Sequence, residues 1–215
     1  MGSANAFYTF MSQRPRGSRF VIGYAAWQAT QLFVTLLVIT ILPKAWIAQI
    51  WVEQERQLIV LAFLAVFLQQ QAWQTLSQIG ESMRLTQRVQ AINVAIAAAH
   101  LAIVLVLWWL SSISIALILA GLVIEYIIAL LVGYRLLRSP APVPEEPFDW
   151  HQLVGDYWTY CKPLVLYSWL GFAYTFADSW LLQRFGGARE QAYFAVGQQF
   201  AAVSLLATTA TLQIF

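Results

Sequence analysis

Six stretches of about 20 mostly apolar residues, separated by short polar segments, restrict this chain more than any other feature. A helix rises 1.5 Å per residue, so roughly 20 residues cross the ~30 Å hydrocarbon layer, and a backbone there must satisfy its own hydrogen bonds. The stretches are residues 20–42, 58–78, 89–109, 113–134, 164–182 and 192–212. The last is the most polar, carrying Gln198, Gln199, Ser204, Thr208 and Thr209. The expected fold class is therefore all-α, a polytopic transmembrane helix bundle of about six spans. Composition agrees: 60% of residues are hydrophobic and 10% charged, with a mean hydropathy of +0.64. A water-soluble domain carries about 25% charged residues, so a soluble fold is excluded. Cys161 is the single cysteine and permits no internal disulfide. The net charge of +2 gives no support to nucleic-acid binding.

Charge placement argues the orientation. With the segment before Phe20 inside, the inner loops hold Arg14, Arg16, Arg19, Arg84, Arg88, Arg135, Arg138 and Lys162, and the outer loops hold Lys44, Arg56, Arg184 and Arg189. Eight against four follows the positive-inside rule. Trp46, Trp51, Trp108, Trp109 and Trp180 fall at the outer helix ends, where indole favours the headgroup level. Both ends of the chain are expected on the cytoplasmic side. The first apolar stretch is too long for a secretory h-region and lacks a cleavage site, so it is a span. Residues 4–11 read as the tail of an earlier helix and 212–215 stop without a polar flank, so a piece of a longer protein is expected.

A linker divides the chain. Residues 139–147 carry four prolines with Glu145 and Glu146, a stiff extended segment. After it, Trp150, Leu153, Val154, Tyr157, Trp158 and Cys161 recur on one helical face, and Asp149, Gln152, Asp156 and Thr159 take the other. Residues 148–161 are expected to lie as an amphipathic helix on the membrane surface. The division is then 1–138 with four spans, 139–161 as linker and interfacial helix, and 162–215 with two spans.

Polar residues within spans carry the functional signal, because lipid makes them costly. Gln28, Gln31 and Thr35 share one face of the first span; Gln71, Gln74 and Gln78 share one face of the second, with Gln70 alongside. Uncharged amides, both donor and acceptor, suit sugar hydroxyls in a wet cavity; the competing reading is amide pairing between helices. His100 lies about 11 residues before the turn at Ser111 and Ser112, and Glu125 about 13 after it, so their depths differ by roughly 3 Å. They either form a proton-responsive pair that biases a conformational change or a polar contact that locks the hairpin. Tyr167, Gly171, Tyr174 and Asp178 share a stripe, which lines the cavity or leans to the interface. No metal-ligand spacing, phosphate loop or nucleophile with a base is present, so no enzyme activity, metal or cofactor is expected.

The run KPLVLYSWLGFAYTFADSWLLQRFGGAREQAYFAVGQQFAAVSLLATTATLQIF, residues 162–215, resembles the start of the second half of O-antigen-type lipid-linked oligosaccharide flippases. These belong to the multidrug/oligosaccharidyl-lipid/polysaccharide exporter superfamily. The pattern is Asp178 late in one helix, a short Gly-bearing outer loop at 184–190, and a small-residue-rich helix with Tyr193 and Gly197. Residues 79–93, with Glu81 and Arg84, are similar to the loop before that family's fifth helix. The resemblance implies two six-helix lobes, of which helices 3 to 6 and then 7 and 8 fall in this chain. It implies flipping of undecaprenyl-diphosphate-linked oligosaccharide across the bacterial inner membrane for O-antigen or exopolysaccharide synthesis. Membrane lipids surround it, and a polysaccharide polymerase and other glycan-pathway membrane proteins are the implied partners. The polar faces themselves make Gln28, Gln31, Gln71, Gln74, Gln78, Tyr174 and Asp178 the expected substrate-cavity residues and His100 with Glu125 the expected coupling pair, and the analogy adds a role for the inner-face arginines. Arg14, Arg16, Arg19, Arg84 and Arg88 attract the diphosphate, although topology alone also accounts for these arginines. A drug or small-solute antiporter of the same superfamily, and a non-transporting membrane partner in glycan synthesis, are the alternatives.

Overall fold

The computed structural model describes residues 2–13, 18–51, 54–137 and 150–212, and among these it is helical, with no strand. The helices are α1 (Gly2–Gln13), α2 (Ser18–Ile41), α3 (Lys44–Ile50), α4 (Arg56–Phe67), α5 (Gln74–Ser82), α6 (Thr86–Trp109), α7 (Ile115–Leu137) and α8 (Trp150–Leu212). A π-helical segment, Leu68–Trp73, joins α4 to α5 without a break. Among the described residues, four helices are long and apolar enough to cross a membrane: Arg19–Ile41, Arg56–Ser82, Thr86–Trp109 and Ile115–Leu137. They coincide with the first four stretches expected from sequence. Arg14, Arg16, Arg138 and the proline linker at 139–147 lie outside the described residues.

Local sequence explains the ends. Pro43 has no N–H to continue α2 and takes φ −58°, ψ 144°, which stops that helix and starts α3. Helix α3, not anticipated from the sequence, seats Ile47 against Ile39 and Ile59. The Arg56 guanidinium donates to the Leu42 carbonyl, one of the acceptors that the end of α2 leaves open. The α6–α7 turn is as tight as the serines suggest: Ser111 is left-handed at φ 52°, and the Ser112 N–H reaches back to the Leu107 carbonyl at 3.0 Å. Arg84 does the same at the α5–α6 turn, with φ 62° and the Leu85 N–H on the Gly80 carbonyl at 2.9 Å. Both are helix stops in which a residue other than glycine takes the left-handed position.

Among the described residues, three clusters of buried side chains hold the bundle. At the α1 end, Phe7 stacks on Phe20 and Tyr24 at 5.3 and 4.2 Å, with Phe10 and Met11 beside them. At mid-depth, Trp73, Tyr126 and Ala129 join α5, the π segment and α7 to Ile92 and Ile96 of α6. Gly133 of α7 lets Trp73 in: a Cβ there would lie 2.9 Å from the indole. The third cluster is the Ile39, Ile47 and Ile59 contact at the other end of α2. Val94, Leu101, Leu105, Trp108 and Trp109 of α6 face outward, as a lipid-facing surface requires.

Helix α8 differs from expectation in two respects. No boundary separates residues 150–161 from 164–182: the helix runs through Pro163, whose missing N–H leaves the Thr159 carbonyl without its usual donor. Tyr157 packs on the α1 and α2 cluster, and Phe10 of α1 meets Tyr157 and Tyr160 at ring distances of 5.5 and 6.0 Å. The loop expected at 184–190 contracts to one non-helical residue, Gly187, at φ 82° and ψ 172°, a conformation open essentially to glycine alone. From the α1 contact the helix reaches Trp180, whose indole N–H donates to the Gln49 carbonyl of α3 at 3.3 Å. Tyr160 and Trp180 thus lie at opposite ends of α2, about 30 Å apart along a helix.

Candidate functional site

The first-span amides do not act together. Gln28 is buried and donates from Nε2 to the Thr75 hydroxyl at 2.7 Å and to the Gln71 carbonyl at 3.3 Å. Thr75 donates to that same carbonyl at 2.8 Å. For Gln28, then, the pairing between helices that the sequence left open is what is formed. One turn further along α2, Gln31 and Thr35 face Gln70 and Gln71 across a groove of about 420 Å³ floored by Phe63 and Phe67 and edged by Val34 and Val66. The side chains of Gln31, Thr35, Gln70 and Gln71 form no hydrogen bond among the described residues. Gln74 is half-buried and Gln78 buried, and neither lines the groove; the Gln78 Oε1 is enclosed with no donor.

The groove owes its shape to the π segment. In Leu68–Trp73 each turn holds an additional residue, so successive side chains are rotated relative to an α-helix, and such segments often mark functional sites. Gln70 and Gln71 turn toward α2, whereas Gln69 turns the other way and donates to the Tyr126 hydroxyl of α7 at 3.1 Å. Trp73 closes the segment with its indole N–H on Asn93 Oδ1 of α6 at 2.8 Å. The π segment is not evident from the sequence, where the run of three glutamines, Gln69, Gln70 and Gln71, is its one sign.

Next to Tyr126 on α7, Glu125 meets His100. Imidazole Nδ1 lies 3.1 Å from Oε2 and 3.3 Å from Oε1, with the Glu125 side chain 6% exposed and that of His100 35%. The depth match read from the α6–α7 hairpin is therefore a direct contact. The direction of the contact follows the tautomer and charge: an ionised carboxylate accepts from imidazole N–H, and a protonated one donates to a bare ring nitrogen. The pair is neutral as imidazolium with carboxylate or as imidazole with carboxylic acid, whereas a neutral ring beside an ionised carboxylate leaves a net negative charge nearly enclosed, which is costly.

Tyr174 and Asp178 line a different cleft, about 650 Å³, with Leu181, Leu182, Phe185, Gly186 and Phe194 across the Gly187 bend. Of the substrate-cavity residues named from the sequence, Gln31 and Gln71 line the groove, Tyr174 and Asp178 line the other cleft, Gln28 makes an interhelical contact, and Gln74 and Gln78 line neither cleft. Arg19, Arg84 and Arg88 are all exposed, and Arg88 donates to the Leu136 carbonyl at 3.2 Å near the end of α7. Among the described residues no cluster of three His, Cys, Asp or Glu side chains could hold a metal. Comparison with protein-family models, curated proteins and solved structures finds no match for this chain. Among the described residues, fold and site together define a helical protein with four helices long and apolar enough to cross a membrane and polar side chains near the middle of those helices.

Proposed function

We propose that this protein is a membrane transporter that flips undecaprenyl-diphosphate-linked oligosaccharide across the bacterial inner membrane by alternating access, for O-antigen or exopolysaccharide synthesis. The observation that carries the reading is the groove of Gln31, Thr35, Gln70 and Gln71, four hydrogen-bonding side chains at mid-span with no partner among the described residues. In hydrocarbon each unsatisfied group costs several kcal/mol, so the groove holds water or a hydroxyl-rich ligand. Phe63 and Phe67 add an apolar floor to those amides. The volume falls within the range of small-ligand sites, roughly 300–1,000 Å³.

In this reading residues 164–182 and 192–212 are two further spans, supported for the first by the reach of α8 from Phe10 to Gln49. Residues 150–161 meet the membrane surface at the cytoplasmic level in this reading, with both ends of the chain on that side. No cation lines the groove, so the diphosphate stays with Arg19, Arg84 and Arg88 at the inner face, and Arg14 and Arg16 have the same role. His100 and Glu125 couple transport to the proton. The protein performs no chemistry on its substrate, and a polysaccharide polymerase acts beside it.

A second reading, antiport of a small organic cation, is favoured by the Asp178 carboxylate among Tyr174, Phe185 and Phe194, since aromatic faces and a carboxylate both attract cations. One reconstitution separates the two. Liposomes carrying the protein should exchange fluorescent polyprenyl-diphosphate glycan between leaflets faster than empty liposomes. Exchange equal to that of empty liposomes, together with uptake of a cationic dye, would overturn the flippase reading.

A further inference from the structure

We propose that Gln69 and Tyr126 are positioning residues that tie the protonation state of the His100–Glu125 pair to the shape of the Gln31, Thr35, Gln70 and Gln71 groove. This rests on the groove being the ligand site, but it concerns how that site is controlled rather than what occupies it. Glu125 and Tyr126 are consecutive on α7, so a rotation of α7 that moves one moves the other. Tyr126 is held to Gln69 at 3.1 Å, and Gln69, Gln70 and Gln71 follow one another in the π segment. On the far side of that segment the Gln71 carbonyl accepts from both Gln28 and Thr75. A continuous set of contacts therefore runs from the α6–α7 pair to the α2 wall of the groove.

The π segment is the element able to move. Its additional residue can shift along the helix by exchanging one backbone hydrogen bond for another, whereas a regular α-helix in a packed bundle has no such slack. The driving difference is electrostatic. With the proton present the pair is a neutral unit; without it α7 carries an uncompensated carboxylate that gains by turning toward water. Other charged groups on the packed elements lie at helix ends: Arg56 opens α4, Glu81 is near the end of α5, Arg88 is in the first turn of α6, and Arg135 is in the last turn of α7. Arg88 is 12 residues from His100 and Arg135 is 10 from Glu125, about 18 and 15 Å along the axes. Tyr134, also on α7, is exposed and about 13 Å from Glu125 along the axis. Tyr126 is the remaining titratable group at that level.

The test uses the protein in lipid nanodiscs with a bimane fluorophore on Thr35→Cys in a Cys161→Ser background. Across pH 5 to 8, where imidazole ordinarily titrates, the emission maximum should shift with a single midpoint. Glu125→Gln should abolish the shift. Tyr126→Phe and Gln69→Met, each close in shape to the parent residue, should abolish it too, while the ¹⁵N imidazole resonance of His100, isolated by His151→Asn, still titrates. Absence of a shift in the parent, a shift preserved in Tyr126→Phe, or a His100 titration lost in that variant would each overturn the proposal. None of these readouts needs transport, so a flippase without the shift refutes the coupling alone, and a shift without glycan exchange refutes only the flippase reading.

Discussion

At the residue scale the polar side chains in the spans belong to different classes that one-dimensional spacing presents alike. Gln28 is bound to Thr75 and Gln71, Gln78 is enclosed without a donor for its Oε1, and Gln31 lines an open groove. Opposite signs follow for similar substitutions. Gln28→Leu removes two hydrogen bonds and should destabilise by about 1–2 kcal/mol. Gln78→Met replaces an unsatisfied amide by an apolar chain of similar length and should be neutral or stabilising by about 1 kcal/mol. Thermal unfolding in one detergent, followed by circular dichroism, reads both. For His100 and Glu125 the comparison is between single and double variants. His100→Leu leaves a buried carboxylate alone and should cost about 3–5 kcal/mol, whereas adding Glu125→Met to it should recover most of that loss. Equal stabilities of the single and double variants in the same unfolding measurement would show that the carboxylate left without its imidazole carries no penalty.

At the element scale the turns and the close helix crossing are the sensitive points. Ser111 holds φ 52° without being glycine, so Ser111→Gly should stabilise the α6–α7 hairpin by about 1 kcal/mol, seen as slower amide exchange in the adjoining turns. Gly133 sits against a Trp73 ring that its bond to Asn93 holds in place, so Gly133→Val should cost about 2 kcal/mol by overpacking. The four apolar helices and the serine turn were legible in advance, because a span requires only length and hydropathy and a hairpin requires only a short polar break. The π segment was not, because 3.6-residue periodicity passes through LQQQAW without a visible fault and the additional residue is stabilised by partners on α2, α6 and α7.

At the scale of the whole molecule, α8 is attached at two ends. Phe10 of α1 holds Tyr157 and Tyr160, and Gln49 of α3 holds Trp180. Phe10→Ala should therefore raise the proteolytic susceptibility of residues 154–162 more than that of α6 or α7, read by limited digestion and mass spectrometry. Near that contact burial pushes the Cys161 thiol above its ordinary range, with the Tyr157 hydrogen bond acting in the opposite direction. Burial first, then Tyr24 and Cys161, raises the Tyr157 phenol far above its own range. Both groups are neutral near pH 7, and Cys161 is buried. Maleimide should label it slowly in the folded protein and rapidly once it is denatured.

The sequence by itself determined where helices able to cross a bilayer lie, which side chains are too polar for lipid, and that His100 and Glu125 share a depth. These are properties of hydropathy and of the 1.5 Å rise, and they survive any packing. Only the tertiary structure decided which polar group meets which. The azimuth of one helix against another determines that Gln28 is satisfied and Gln31 is not, that Gln69 joins Tyr126, and that Asp178 lines a cleft apart from the glutamine groove. Spacing along one helix fixes a face, but the partner of that face comes from another part of the chain.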